Sequence, residues 1–384
     1  MSEYKFYIGR IGKMLLEIQM FLRRFLDMKC AKINYALMKR ILACSRLRKS
    51  KNSTKWIVSL SQMLSDIDYH RIKEVKDSLD FLEGFAFDNI QLLHKCKRRS
   101  ARQDPIVICV MRDEKERIEF FFDHYRNLGI KHFVILDNDS VDGTVEYLLE
   151  QKDTDIFSVK RAFSEGRKQG WINRLLCLYG FDRWYLYVDA DELLEWPERS
   201  QYNLKHLLNI LETNGINRVG AIMVDMYPGE EIFKQELSSF DINSFYFDKD
   251  SYYTIKEGEK TIYTGGPRKR VFNMECWLSK YPLFKLQSGE MMISAHYLYP
   301  YHPHRKYPFL LALLHFKFLT TKDLEKTKRY VKEKNHTNNS IELKRYLQNY
   351  NEGVNRLYDR DSVHYEGSES LSCIKDIVKM SELL

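Results

Sequence analysis

Tyr185-Leu-Tyr-Val-Asp-Ala-Asp-Glu192 is an apolar run that ends abruptly at three carboxylates. A buried parallel strand typically has such a continuous hydrophobic sequence, and ligands of open α/β sheets bind beyond the carboxyl ends of these strands. Because residues two apart on an extended chain point the same way, we expect Asp189 and Asp191 to face one point. Two carboxylates with open coordination positions suit Mg²⁺ or Mn²⁺, which takes its remaining ligands from water and phosphate. The stretch predicts a metal–diphosphate site at a strand tip.

Short apolar runs alternate with helical patterns on both sides of this stretch. Helices are predicted up to about Leu128, up to about Gln151 and over 168–180, and strands at 106–110, 132–136, 156–160, 184–188 and 219–224. Ser140 is the predicted N-cap of the second helix, with Asp142 in its first turn. This alternation favours an α/β fold, with a mostly parallel sheet flanked by helices on both faces.

Acidic residues collect at the ends of the predicted strands. In a parallel sheet these ends share one edge, so we expect the carboxylates to converge there. For each acid alone a cap or a turn is the simpler interpretation, and for Asp142 that interpretation is preferred. The residues concerned are Asp113, Asp137, Asp139, Asp189, Asp191 and Asp225.

The chain has neither a GxGxxG nor a GxxxxGK[ST] motif. Backbone amides of a glycine-rich loop are therefore not expected to hold the phosphates. A bound diphosphate would instead be neutralised by a metal ion and by basic side chains. The candidates are Arg112, Arg167, Lys168 and the basic turn 265–270, which contains Arg268 and Arg270.

The ordered motifs resemble the family 2-like glycosyltransferases of the GT-A fold, and more narrowly a bacterial subgroup of them. The motifs are Met111-Arg-Asp-Glu114, Asp137-Asn-Asp-Ser-Val-Asp-Gly-Thr144 and Asp189-Ala-Asp-Glu192. Later segments that look similar are Asp225-Met-Tyr-Pro228, 265–272, 294–297 and 314–318. The resemblance covers residues 105–320. It departs from the subgroup at Asp113, where asparagine is usual.

The resemblance implies a GT-A type sheet and a metal-dependent transfer from a nucleotide-diphospho sugar. The acceptor would be a glycan or a lipid-linked acceptor in surface polysaccharide synthesis. By the same resemblance, Asp137 or Asp139 holds the base or ribose, Asp189 lies near the ribose or metal, and Asp191 ligates Mn²⁺ or Mg²⁺. His315 is the candidate for the late histidine that joins the metal or the diphosphate, and a core histidine is the alternative.

An inverting transfer, which we expect here, needs a general base beside the acceptor hydroxyl. Asp225, at the end of the next predicted strand, is the first candidate, and Asp248 is the second. A retaining outcome stays open. Residues 236–264 are polar, aromatic and irregular, and they are expected to form a flap over the acceptor.

The net charge of +8 is unevenly distributed along the 384 residues. Residues 1–50 contain twelve Lys or Arg and three acids, and apolar residues recur at helical spacing over 4–47. This predicts an amphipathic helix that lies on an anionic membrane surface or packs against protein. Nucleic-acid motifs are absent, so no nucleic-acid partner is expected.

We therefore expect a helical N-terminal extension over 1–100, a GT-A domain over 105–320 and a helical tail over 321–384. Tail helices are predicted at 322–334, 340–350 and 370–382. The basic residues of the first of these helices, including Lys326 and Arg329, are expected to form a solvated face.

The seven cysteines are scattered, with no CxxC pair and no zinc-like spacing. Cys109 and Cys177 lie in apolar stretches and are predicted core residues. This usage favours a reducing compartment. No signal peptide and no apolar run of membrane-spanning length is visible. A cytoplasmic location is expected, free or peripheral at the inner face of the membrane.

Two other functions fit the same residues. The first is a non-catalytic scaffold, or a membrane-associated interaction protein, on a glycosyltransferase-like fold. Convergent carboxylates argue against it, because a scaffold does not need them. The second is a nucleotidyltransferase or a metal-dependent phosphohydrolase, which would use similar acids and release different products.

Overall fold

The computed structural model describes residues 79–97, 101–235, 241–257, 260–294, 296, 298–299, 310–333 and 341–382. The amphipathic segment predicted at 4–47 lies outside these residues. Among the residues described, no helix is both long enough and apolar enough to cross a membrane.

The first half of the described chain alternates strands with helices. A π-helical turn at Glu83–Phe87 is followed by β1 (Gln91–His94), β2 (Ile106–Met111), α1 (Ile118–Asn127), β3 (Phe133–Asp137), α2 (Thr144–Leu149), β4 (Thr154–Ser158), α3 (Glu165–Tyr179) and β5 (Trp184–Tyr187).

The second half contains more short strands. Its elements are β6 (Glu192–Glu195), α4 (Leu204–Thr213), β7 (Arg218–Asp225), β8 (Tyr227–Pro228), β9 (Phe245–Phe247), β10 (Tyr252–Glu257), β11 (Lys260–Gly265), α5 (Gly266–Phe272), β12 (Ser279–Lys285), β13 (Met291–Met292), β14 (Leu298–Tyr299), β15 (Leu310–His315), α6 (Thr321–Glu333), α7 (Ile341–Asn351) and β16 (Val363–His364). Short 3₁₀ turns lie at Ile242–Ser244, Ser368–Cys373 and Met380–Glu382.

A nine-stranded mixed sheet organises these elements, in the order β1-β4-β3-β2-β5-β12-β7-β15-β6. Strands β2, β3, β4, β5, β7 and β15 run in one direction, whereas β1, β12 and β6 run in the other. Every residue of β3 and of β5 is buried, which explains their continuous apolar sequences. The predicted α/β class, with a mostly parallel sheet flanked by helices, is confirmed at this level, and the architecture is compatible with a Rossmann-like fold.

The sheet has a separate core on each face. On β2, Val107 and Cys109 join the layer that contains α1, while Ile106 and Ile108 join the layer that contains α3. Successive side chains of a strand point to opposite faces, so one strand supplies both layers. Cys109 and Cys177 are fully buried, which confirms the prediction that both are core residues.

Both flanking segments contribute to this layered unit. Strand β1 falls in the segment assigned to the N-terminal extension, and it pairs with β4 as the edge strand of the sheet. In the tail, every third residue from 371 to 380 is buried in the core layer that contains α1. A repeat of three residues suits 3₁₀ turns, not an α-helix, so the predicted helix at 370–382 is wrong.

Two further local predictions are wrong. The described part of 236–264 is not irregular, because β10 and β11 form an antiparallel hairpin whose register runs from Tyr252↔Gly265 to Glu257↔Lys260. Several of its side chains are exposed, so the alternation of apolar and polar residues that marks a half-buried strand is missing. The basic turn at 265–270 is the short helix α5.

A close crossing of backbones fixes the π-helical turn against α3. A Cβ atom added at Gly170 would lie 2.2 Å from the carbonyl oxygen of Phe81 and 2.6 Å from the backbone nitrogen of Phe85. A Cβ atom added at Gly84 would lie 2.3 Å from the carbonyl oxygen of Arg167. Only residues without a side chain allow this approach.

We expect Gly170→Ala to destabilise the protein by roughly 1–3 kcal/mol, the usual cost of overpacking a core. At an unhindered helical position the same change stabilises a protein by about 0.4–1 kcal/mol, so the sign of the effect tests the crossing. Chemical denaturation measures it. Leu178→Ala, on the exposed side of α3, is the matched control and should change the free energy of unfolding little. A Gly170→Ala protein as stable as wild type would contradict the crossing.

Candidate functional site

The carboxyl ends of β5, β7 and β15 meet at one edge of the sheet, beside the start of β6. In the strand register His315 pairs with Asp225 on one side and with Glu192 on the other. Asp191 directly precedes β6. Its carbonyl oxygen accepts a hydrogen bond from the backbone N–H of Phe316, the residue after His315, at 2.8 Å. The topology thus assembles what we call the strand-tip cluster: Asp189, Asp191, Glu192, Asp225 and His315.

Two buried lysines neutralise Asp189. Lys168 donates from Nζ to Oδ1 at 2.7 Å, and Lys280 donates from Nζ to Oδ2 at 3.1 Å. Lys280 also contacts Glu192, whose other carboxylate oxygen accepts the backbone N–H of Asp189 at 3.0 Å. Burial raises the pKa of Asp189, but the two ammonium groups outweigh it and hold the pKa well below its usual range.

His315 joins two carboxylates through its two ring nitrogens. Its Nδ1 lies 2.6 Å from Oδ1 of Asp225, and its Nε2 lies 3.4 Å from Oδ2 of Asp191. Burial alone would lower the pKa of His315, but the two carboxylates outweigh it, so the pKa is raised. In the metal-free protein the two carboxylates therefore favour the imidazolium form, which offsets part of the negative charge of the strand-tip cluster, whereas a bound metal ion would take the place of the proton on Nε2.

Asp225 is fully buried between two cations. Arg268, on α5, donates from Nε to its Oδ2 at 2.7 Å, and His315 occupies its Oδ1. Only 3% of Arg268 and none of Asp225 is exposed. Burial raises the pKa of Asp225, while Arg268 and His315 lower it further than burial raises it. Asp225, the first candidate for the general base, is thus a weak base with both oxygens in use.

Three members of the strand-tip cluster lie close enough together that they could hold a metal ion. Asp191, Glu192 and His315 each offer one ligand atom, and these atoms all lie within 4.8 Å of one another. Carboxylate oxygens suit Mg²⁺ and Mn²⁺, and the imidazole adds a nitrogen donor, so the residues fit a divalent cation. Asp191 and His315, two of the predicted ligands, belong to this set together with Glu192, whereas Asp189, the third predicted ligand, does not.

The end of β3 supplies a second group of carboxylates. Asp137 is 1% exposed, and its Oδ2 accepts the backbone N–H of Ser140 at 3.2 Å. Within the described ranges its buried Oδ1 has no hydrogen-bond partner, and burial raises the pKa of this carboxyl. Asp139 has a φ of 60° and an exposed ion pair with Lys160 at 3.3 Å. Asp137 therefore keeps one acceptor atom available beside the strand tips.

A network of loop contacts, not a helix cap, holds the segment after β3. Helix α2 begins at Thr144, so Ser140 is not its N-cap, and the Ser140 hydroxyl instead accepts the backbone N–H of Asp113 at 2.8 Å. Asp142 accepts the backbone N–H of Lys115 at 3.0 Å and that of Thr144 at 3.0 Å. These bonds tie the ends of β2 and β3 together, and the turn role preferred for Asp142 is confirmed.

Helix α6 closes the β2 side of the site. Arg329 donates to Oδ2 of Asp113 at 2.5 Å, and Lys326 pairs with Glu114. The prediction that Lys326 and Arg329 form a solvated face is therefore wrong. Asp113 adopts a φ of 56°, a conformation that Asp and Asn tolerate better than other residues. The Nε of Arg112, a predicted nucleotide-binding residue, lies 4.0 Å from Oδ2 of Asp113.

Asp248 and Arg270 form a separate ion pair next to β9. Arg270 donates from Nε and Nη2 to the two Asp248 oxygens at 3.0 and 2.8 Å, and Ser251 donates its hydroxyl at 2.8 Å. The Tyr227 hydroxyl also donates to Asp248. Both oxygens of Asp248 are thus occupied. The guanidinium of Arg270 contacts Asp248 and not the strand-tip cluster.

The structure brings together five predicted site residues, namely Asp189, Asp191, Asp225, Lys168 and His315, with Arg268 against Asp225. Sequence reasoning missed Lys280 and did not assign Glu192 a role. Lys280 lies on β12, an antiparallel strand inserted between β5 and β7, and no local pattern indicates that insertion. Glu192 was visible as the last acid of the motif, but its contact with Lys280 depends on the tertiary structure.

No protein-family model matches this chain, and no curated protein matches it significantly.

We expect Arg268→Ala to lower the free energy of unfolding by about 3–5 kcal/mol, because it removes one partner of a buried ion pair and leaves the charge of Asp225 undercompensated. Lys269→Ala, one residue along α5, is the matched control, because it removes a half-exposed ion pair with Glu275 and should cost less than about 1 kcal/mol. Urea denaturation of both variants measures the difference. Equal stabilities would contradict a buried pair at this position.

We expect the imidazole of His315 in metal-free protein to titrate above its ordinary pKa of about 6.5. Its stabilising contribution is then complete below that pKa and is lost as the pH rises through the higher folded-state value. Asp191→Asn should lower the pKa of His315, because it removes a facing carboxylate. Histidine NMR titration of both proteins checks this. An unchanged pKa in Asp191→Asn would contradict the contact.

Proposed function

We propose that the protein is a metal-dependent glycosyltransferase, which moves a sugar from a nucleotide-diphospho sugar to a hydroxyl of a glycan or lipid-linked acceptor. The observation that carries the proposal is the strand-tip cluster itself. Its metal-ligand set of Asp191, Glu192 and His315 lies beside a carboxylate held by Lys168 and Lys280. Cations and carboxylates at the carboxyl edge of an open sheet are what a bound metal–diphosphate needs.

In this proposal the cation is Mn²⁺ or Mg²⁺, held by Asp191, Glu192 and His315. A divalent cation supplies Lewis-acid stabilisation of the negative charge that develops on a leaving nucleoside diphosphate. The protein contributes the fixed positions of the three ligands. Asp225 acts as a positioning residue, because its bond to Nδ1 of His315 orients the other ring nitrogen toward Asp191.

Lys168 and Lys280 supply positive charge that does not depend on the metal. Both are nearly buried, and each binds one oxygen of Asp189. Charges fixed in a water-excluded site stabilise developing negative charge at little cost of reorganisation. A diphosphate next to Asp189 would therefore meet two ammonium groups already in position.

The nucleoside would lie beside the end of β3. The buried Oδ1 of Asp137 is an acceptor without a partner in the described part of the chain, and a base N–H or a ribose hydroxyl would satisfy it. Asp139 and Arg112 border the same loop and belong to the proposed nucleotide subsite. Arg270 is bound to Asp248 and is left out of it.

The residue that accepts the proton of the acceptor hydroxyl stays a prediction from the sequence, with Asp225 and Asp248 as candidates, and so does the inverting outcome. Both carboxylates are already bound by an arginine. The proposal also includes a surface-polysaccharide acceptor and a peripheral location at the inner face of a membrane. Both depend on the basic amphipathic helix predicted at 4–47, and this segment lies outside the described residues.

Isothermal calorimetry with UDP, GDP, CDP and their sugars, each with and without Mn²⁺, tests the donor site. We expect one nucleotide to bind in a Mn²⁺-dependent way and Asp191→Asn to weaken it at least about tenfold, which corresponds to roughly 1.4 kcal/mol. Asp361→Asn, an exposed acid in the tail, is the matched control and should bind like wild type. Folded wild-type protein that binds no nucleotide would overturn the proposal in favour of a scaffold.

Product analysis then separates the enzymatic alternatives. In incubations of wild-type protein with the bound sugar nucleotide and no glycan acceptor, water takes the place of the acceptor hydroxyl, and the products should be the free sugar and the nucleoside diphosphate. Release of the nucleoside monophosphate would instead identify pyrophosphate cleavage, and with it a nucleotidyltransferase or a phosphohydrolase.

A further inference from the structure

A second group of metal-ligating side chains lies at the opposite end of the sheet from the strand-tip cluster. Cys96 follows β1, His132 directly precedes β3, and Asp155 is the second residue of β4. Because β3 and β4 are parallel, His132 and Asp155 lie at their amino ends. The group is therefore separate from the proposed donor site, and its chemistry is independent of the proposed function.

The carboxylate of Asp155 is the centre of this group. Its Oδ1 accepts the backbone N–H of Cys96 at 2.7 Å, and its Oδ2 lies 3.2 Å from Nε2 of His132. Tyr179 donates its hydroxyl to Oδ2 at 2.5 Å. One ligand atom from each of Cys96, His132 and Asp155 lies within 4.8 Å of the other two. All three residues are at least nine-tenths buried.

The path of the chain explains how these residues meet. Strand β1 runs antiparallel to β4, and its register shifts between Leu92 and His94. A bulge of this kind bends the strand, and the chain beyond it brings Cys96 onto Asp155, 59 positions later in the sequence. Among the described residues β1 is an edge strand that pairs only with β4, and the contact of Cys96 with Asp155 attaches the chain again after the strand ends.

We propose that Cys96, His132 and Asp155 bind a Zn²⁺ ion, which fastens β1 to β3 and β4. A thiolate, an imidazole and a carboxylate are the three ligand types that zinc uses, and a water molecule can complete four-coordination. The soft sulfur ligand disfavours Mg²⁺ and Mn²⁺, which prefer oxygen. Tyr179, which donates to the carboxylate, orients it as partners of metal ligands commonly do.

The same three residue types also occur in nucleophilic triads, but the geometry here is different. A triad needs the histidine between the nucleophile and the carboxylate. Here the carboxylate lies between the other two, because both the Cys96 thiol and His132 are hydrogen-bonded to Asp155. A substrate would also have to reach a sulfur atom in a residue that is only 8% exposed. Metal binding is the chemistry that this arrangement supports.

The zinc content of purified full-length protein, measured by elemental mass spectrometry, and calorimetric titration of the metal-free protein with ZnCl₂ test this site. Both are done in the Asp191→Asn background, which removes one of the three possible ligands of the strand-tip cluster and so weakens zinc binding there. We expect one zinc per chain, with binding at least about 100-fold weaker in Cys96→Ser and in His132→Gln, because each loses a direct ligand and the loss of an outer-shell partner already costs about 10–100-fold. Cys373→Ser, which changes an exposed cysteine, is the matched control and should bind zinc fully.

Thermal unfolding gives a second readout, because an ion that binds only the folded state raises its stability. Zinc should raise the melting temperature of the Asp191→Asn protein and of its Cys373→Ser derivative, but not that of the Cys96→Ser derivative. Folded protein that binds no zinc, or zinc that survives both Cys96→Ser and His132→Gln, overturns the site.

If the ligand variants do not fold, Co²⁺ bound to the Asp191→Asn protein decides the question. A cobalt–thiolate bond gives a charge-transfer absorption that oxygen and nitrogen ligands do not give. Its presence in a derivative in which Cys30, Cys44 and Cys373 are all replaced by serine assigns the bond to a buried cysteine, and among the described residues only Cys96 lies with a histidine and a carboxylate. Its absence overturns the proposal.

Discussion

Buried negative charge is the constraint on which the rest of the site depends. Asp189, Asp191, Glu192 and Asp225 come together at one edge of the sheet, where each carboxylate would repel the others and lose its hydration. The structure offsets this with cations supplied by four other elements. Lys168 comes from α3, Lys280 from β12, Arg268 from α5 and His315 from β15.

The order of the strands brings these opposite charges together. Strand β12 is inserted between β5 and β7 and runs opposite to both, so its first residues lie at the carboxyl ends of its neighbours. Lys280, the second residue of β12, is thereby placed against Asp189 and Glu192. Strand β15 returns parallel to β7 and ends at the same level as Asp225 with His315. An insertion that looks irregular in a parallel sheet is what delivers the lysine.

The two ends of the sheet differ in chemistry. The carboxyl end combines oxygen ligands with ammonium and guanidinium groups, a setting for a hard divalent cation and phosphate. The amino end at β3 and β4 combines a thiol, an imidazole and one carboxylate, a setting for a softer metal. Because position 170 is glycine, the π-helical turn before β1 can pack closely on α3. This packing holds the chain before β1 against one face of the sheet, next to the edge where Cys96 lies.

The sequence by itself determined the α/β class, the strands that end at Asp137 and Asp225 and the strand that precedes Asp189, because a buried parallel strand is a continuous apolar run that local pattern reveals. It also indicated Asp191 and His315. It did not reveal the hairpin of β10 and β11, whose exposed side chains break the alternating pattern, or the 3₁₀ turns near 368–373. Only the tertiary structure decided the partners: Lys280 with Asp189, Glu192 with His315, and Cys96 with Asp155. Strand order and strand register bring these residues together. The periodicity of apolar residues along the chain shows which face of a segment is buried, but it does not show which segment lies beside it.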